Sequence, residues 1–172
     1  MRKLKRFFTY IIYVSLLLLA SGFFIPQNLK MPVDGAGEKS YDKRSFWYYP
    51  WGKSVTHKGV DIFAKKGTSI FSATEGLVVY TGEMGRGGNV VLVLGPKWRL
   101  HYYAHLDKLN TTEGSFVNQK DVIGKVGNTG NAQGKPSHLH YSIITLIPYP
   151  WRMDLSHQGY KKMFYLNPIE YF

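Results

Sequence analysis

Residues 76–95 read GLVVYTGEMGRGGNVVLVLG. Two runs rich in β-branched and apolar residues, Leu77–Thr81 and Asn89–Leu94, flank Gly85-Arg86-Gly87-Gly88. Branched side chains pack well on a pleated surface, and a glycine cluster supplies the positive φ values of a tight turn. The stretch therefore predicts a β-hairpin. The glycines do not make a phosphate loop, because no Gly-Lys-Ser/Thr and no helical pattern follow them. The same punctuation recurs on both sides. Candidate strands are Val60–Ala64, Ser69–Ala73, Trp98–Leu106, Val122–Val126 and His138–Ile147. Turn signals separate them at Lys66-Gly67, Glu75-Gly76, Gly95-Pro96, Glu113-Gly114 and Gly127 to Gly130. Beyond residue 25, no window of twelve residues carries a helical period. The expected fold is all-β, built of antiparallel sheets.

The chain has 172 residues, 44% of them hydrophobic and 19% charged, enough for one compact core plus a short extra segment. It has no cysteine. That excludes disulfides, thiolate-bound zinc, a thiol nucleophile and a lipidated N-terminal cysteine. Six histidines and the carboxylates remain as strong metal ligands. The net charge is +11, and beyond residue 30 there are 17 basic against 11 acidic residues, or +6. Such a charge suits an anionic partner without selecting one. A nucleic-acid surface needs basic and aromatic residues interleaved on one face. Lys97, Trp98, Arg99 and Tyr103 are a poor version of that, so no nucleic acid is expected.

Residues Phe7 to Ile25 are 19 uncharged residues, preceded by Arg2, Lys3, Lys5 and Arg6. A bilayer span takes about 20 apolar residues, and basic residues stay on the cytoplasmic side. Residues 1–25 are expected to be a basic tail and membrane anchor. The alternative is a signal peptide cleaved near Ala20-Ser21-Gly22, although the apolar region of such peptides is shorter, about 7–15 residues. Either way the rest is exported, to the periplasm or the exterior face of the cytoplasmic membrane. Residues 26–45 are polar with scattered Pro and Gly and read as a linker. Residues 46–172 form the expected functional domain.

Three short motifs carry the chemistry: His57-Lys58-Gly59-Val60-Asp61, Tyr103-Ala104-His105-Leu106 and His138-Leu139-His140. Alternate residues of a strand share a face, so His138 and His140 project together. His57 and Asp61, four apart, share a face as well if extended, and Gly59 permits a bend. Zinc takes His nitrogen and Asp oxygen, and a catalytic site uses three protein ligands. Each motif alone is a weak signal. Their joint presence in a cysteine-free β domain is stronger. His101 and His157 read as packed or solvated residues, although His101 shares strand parity with His105.

This set resembles the lysostaphin-type, or LytM-type, zinc endopeptidases that hydrolyse peptidoglycan. The neighbouring text agrees: Glu75-Gly76-Leu77-Val78, Gly88-Asn89-Val90-Val91, Gly124 to Gly130 and the closing Leu166-Asn167-Pro168. The resemblance covers residues 51–172. It implies a groove over one zinc ion per chain, held by His57, Asp61 and His140. It implies His138 and His105 as catalytic histidines, with His138 the expected base and the two roles exchangeable. It implies peptidoglycan peptides as substrate. A wall-binding or amidase-activating relative without catalysis is the alternative; members of that kind lose ligands, and all are present here. Either a D-Ala–diaminopimelate cross-link or a glycine bridge fits, and the anchor without a recognisable wall-targeting segment leans toward the former. Residues Leu146–Met163 read as an insertion forming a groove wall or lid. The short linker offers no obvious residue to block the metal, although Asn28 or Asp34 could reach in.

Overall fold

The computed structural model describes residues 2–172. An N-terminal helix, α1, spans Arg2–Phe24. Nine strands follow: β1 Val60–Phe63, β2 Ser69–Phe71, β3 Gly76–Glu83, β4 Asn89–Gly95, β5 Arg99–Leu109, β6 Phe116–Val117, β7 Val122–Val126, β8 His138–Thr145 and β9 Tyr165–Leu166. All pair antiparallel, in the order β1-β8-β5-β4-β3-β6. Strand β7 joins β5 to β2, and β9 adds to β8. The β3–β4 hairpin is the one read from residues 76–95, with its turn over Gly85–Gly87. The all-β expectation holds: beyond α1 the described residues form only short 3-10 turns between strands. The unforeseen strands β6 and β9 have two residues each, too few to show a period.

Alternation places the core. Val60 and Ile62 of β1, Tyr103 of β5, and Leu139, Tyr141 and Ile143 of β8 are fully buried on one side of the sheet. The same side takes Val78, Val91 and Val93. Its polar atoms are paired: Ala73 N donates to the Tyr103 hydroxyl at 2.9 Å, and His101 Nδ1 lies 2.6 Å from the Tyr141 hydroxyl. Burial pushes the Tyr103 phenol up to about 12 and the His101 imidazole down to about 3.

The expected linker is not free chain. Leu29 and Val33 belong to the hydrophobic core. Residues 30–34 run beside β2, with Phe71 N donating to Pro32 O at 2.7 Å and Asp34 N to Ser69 O at 3.1 Å. Leu29, Met31 and Val33 alternate with polar residues or proline, so the period-two signal of a half-buried strand is present inside a stretch that reads as polar overall. Asn28 and Asp34 accordingly sit beside Gln119 and β2 and do not line the groove described below.

Candidate metal centre

The site forms on the sheet face opposite the core. Asp61 of β1 is the register partner of His140 of β8, and Ala104 of β5 partners His140 on the other side. His138, His140 and Ser142 share the groove face of β8, as their spacing predicts. His57 does not share a strand with Asp61. It sits in the loop before β1, and Trp47 N to His57 O (2.6 Å) and His57 N to Tyr48 O (3.0 Å) tie that loop to residues 47–48. Gly59 serves close approach: a Cβ there would lie 2.4 Å from Tyr141 O and 2.5 Å from Ser142 Oγ.

His57 Nε2, Asp61 Oδ1 and His140 Nδ1 converge. The two nitrogens are 3.0 Å apart and lie 3.0 and 2.8 Å from the carboxylate oxygen. His57 Nδ1 donates to Ser45 O at 2.9 Å, which leaves Nε2 to face Asp61 and His140. Burial alone would raise the Asp61 carboxyl, but the imidazoles of His140 and His57 outweigh it and hold the group well below the usual carboxylate range. Two imidazoles and one ionised carboxylate are a donor set that suits zinc. Ser142 Oγ lies 3.0 Å from His140 Nε2 and orients that ring from behind. Trp51 stacks on His57 with ring centroids 4.2 Å apart.

His138 and His105 stand beside this group without joining it. His138 Nε2 is 3.9 Å from Asp61 Oδ2. The His105 ring meets that of His138 at 5.1 Å and that of His140 at 6.0 Å. Each donates its Nδ1 proton to a backbone carbonyl, His138 to Pro136 at 2.8 Å and His105 to Thr129 at 2.9 Å. With Nδ1 so engaged, Nε2 is the ring nitrogen each has left for chemistry in the groove. Burial, reinforced by His140 and His138, lowers the His105 imidazole to about 4, so it is neutral near pH 7.

Strand parity fails for His101. Pairing on β4 advances from Asn89 to Val91 while β5 advances from Leu106 back to Tyr103, so β5 carries a bulge. His105 occupies it with φ 68°. The bulge turns His105 to the groove while His101 stays in the core. Tyr102, the partner of Ser142, also faces the groove, with its ring 6.1 Å from that of His140. Burial raises its phenol, which is therefore a proton donor at neutral pH. Only the register reveals Tyr102; its spacing from His105 suggests the opposite face.

The groove holds about 490 Å³ and is lined by Asp61, His105, His138 and His140 with Trp51, Tyr102, Arg86 and Lys135 among its walls. No residue of the Leu146–Met163 insertion lines it, so the expectation of a wall or lid is corrected. The insertion braces the His57 loop from behind. Trp47 Nε1 donates to His157 O at 3.1 Å, Thr56 Oγ1 to Gln158 Oε1 at 3.1 Å, and His157 stacks on Tyr49 at 3.6 Å. Trp47 and Tyr49 next to the loop thus seat the insertion away from the groove.

An antiparallel sheet carrying a His/Asp/His donor group, with two further histidines in one groove, has the layout of a LytM-type peptidoglycan hydrolase domain. Residues 55–148 match the model of peptidase family M23, and the chain belongs to that family. It is 33% identical over 118 residues to the peptidoglycan DD-endopeptidase ShyA of Vibrio cholerae, covering 67% of this chain and 26% of that protein. It is 31% identical over 108 residues to the glycyl-glycine endopeptidase ALE-1 of Staphylococcus capitis, covering 60% of this chain and 29% of that protein. A murein hydrolase activator, NlpD of Escherichia coli, is 34% identical over 88 residues, 51% of this chain and 22% of that protein. The matches thus span between a fifth and a third of these curated relatives. Among solved structures, the catalytic domain of lysostaphin from Staphylococcus simulans superposes with a TM-score of 0.59 at 26% identity, over 77% of this chain and 92% of that domain.

Proposed function

We propose that this chain is an exported zinc endopeptidase that hydrolyses peptide cross-bridges of peptidoglycan. One observation carries the reading: Asp61, His140, His138 and His105 line a single groove, and His57, buried at its edge, joins Asp61 and His140, so all three motifs meet there. His57, Asp61 and His140 would hold one zinc ion. Zinc supplies there a Lewis acid for the scissile carbonyl and lowers the pKa of coordinated water toward about 7. His138 takes the proton of the attacking water at Nε2, its ring fixed by the Pro136 carbonyl. His105, fixed by Thr129, accepts a hydrogen bond from that water at Nε2 and orients it. The Tyr102 phenol offers a further hydrogen bond from the same wall.

Helix α1 is long and apolar enough to cross a membrane, and its large side chains are exposed. That supports residues 1–25 as an anchor holding residues 46–172 outside the cytoplasm, within reach of the wall. The match to NlpD favours a second reading, a wall-binding amidase activator without its own catalysis. Digestion of purified sacculi by the zinc-loaded chain, with mass analysis of the fragments, separates the two. New amino termini at cross-bridges are expected. Intact cross-bridges, together with stimulation of an amidase, would replace the first reading by the second.

A further inference from the structure

The groove is cationic at one end in a way the metal group does not require. Trp51, Ser54, Arg86, Asn131 and Lys135 line both the groove over the donor residues and a second pocket that continues it, where Lys53 joins them. Asp61 is the only acid lining the two, and its charge faces His57 and His140. Arg86, Lys53 and Lys135 form no ion pair with a carboxylate of the described residues, so their charges are not neutralised within the chain.

The backbone that carries Arg86 and Lys135 is held in place. Arg86 sits on the β3–β4 turn, while Asn131 and Lys135 sit on the loop between β7 and β8. The two loops interlock. A Cβ on Gly88 would lie 2.3 Å from Thr129 Oγ1, and one on Gly130 would lie 2.3 Å from Arg86 O. Asn89 N donates to Thr129 Oγ1 at 3.0 Å. Only Arg86's reach to Ser54 Oγ, at 3.5 Å, engages its guanidinium, so the fork remains open to a ligand. An arginine fork with a lysine beside it, fixed on interlocked loops, matches a carboxylate.

We propose that Arg86 and Lys135, with Lys53, form a subsite for a free carboxylate of the substrate peptide, which makes the chain selective for anionic cross-links. This rests on the endopeptidase reading above and names its substrate class. In a D-Ala–diaminopimelate link the residue that supplies the amide nitrogen carries a free carboxylate beside the scissile bond. An internal glycine–glycine bond carries none.

The test uses the zinc-loaded full chain and two probes: a tetrapeptide dimer with a D-Ala–diaminopimelate cross-link, and the same dimer with its carboxylates converted to amides. Binding is read by tryptophan fluorescence and cleavage by mass analysis, for the natural chain and for Arg86→Gln/Lys135→Gln. The acid dimer is expected to bind about ten- to a hundredfold tighter than the amide, the usual worth of one or two charge-assisted hydrogen bonds. The double substitution should bring that ratio toward one, with zinc content retained. Equal binding of the two dimers by the natural chain, or an undiminished preference in the variant, overturns the subsite. Binding selectivity that the variant loses, with neither dimer cut, keeps the subsite and overturns the endopeptidase reading alone.

Discussion

Asp61 and His140 are register partners across β1 and β8, and their side chains meet at 2.8 Å between Oδ1 and Nδ1. His138, two residues earlier on the same face of β8, pairs in register with Phe63 instead. Its Nε2 stays 3.9 Å from the other carboxylate oxygen. Strand register therefore divides the two histidines into one that contributes to the donor group and one that stands beside it.

Asp61→Ala should remove most of the bound zinc, because it deletes the anionic donor and leaves two imidazoles. His140→Ala should lose zinc and wall cleavage together. Metal analysis of purified, folded protein is the check, and full zinc occupancy in either variant would contradict the ligand assignment.

His138→Ala and His105→Ala should keep zinc and the fold while cleavage falls by about 10²–10⁴-fold, the usual worth of a positioned general acid or base. Zinc content measured alongside cleavage of a wall peptide decides it. Metal loss in His138→Ala with retention in His140→Ala would exchange their roles.

Gly59→Ala should destabilise the domain and weaken metal binding at once. The added methyl meets the Tyr141 carbonyl and Ser142 Oγ, both of which lie within 2.5 Å of its position, and forces β1 away from β8. Overpacking of this kind costs about 1–3 kcal/mol. Denaturant unfolding curves should show it, and an unchanged midpoint with normal zinc content would contradict the close approach.

Acid should weaken the fold through His101. Its imidazole is buried neutral with a pKa lowered to about 3 from 6.5, with desolvation the main cause and the Arg99 charge adding to it. Above pH 6.5 neither folded nor unfolded His101 is charged. As pH falls from 6.5 toward 3, only the unfolded chain takes up the proton, so stability drops by on the order of 1 kcal/mol per pH unit. Thermal unfolding of the natural chain and His101→Gln between pH 7.5 and 4.5 should show a smaller pH slope in the variant. Equal slopes would contradict the burial argument.

The chain should fractionate with membranes, and protease added from outside the cytoplasm should digest residues 46–172. A shortened protein released by osmotic shock would show that residues 1–25 are a cleaved signal.

Local chemistry made the strands, the β3–β4 turn and the donor types legible in the sequence alone. Side-chain alternation and glycine punctuation act over a few residues, and each strand longer than two residues announces itself that way. The five site residues were legible through their motifs and a family resemblance. Their convergence was not, because His57 and His140 are 83 residues apart and it takes both the β1–β8 register and the loop tied to residues 47–48 to bring their nitrogens to 3.0 Å. Tertiary structure also decided that residues 29–33 enter the core, that the insertion braces the His57 loop, and that Tyr102 faces the groove while His101 does not. That last division comes from a single extra residue in β5: a bulge reverses the facing of every side chain beyond it, and no count of residue spacing reveals where a bulge falls.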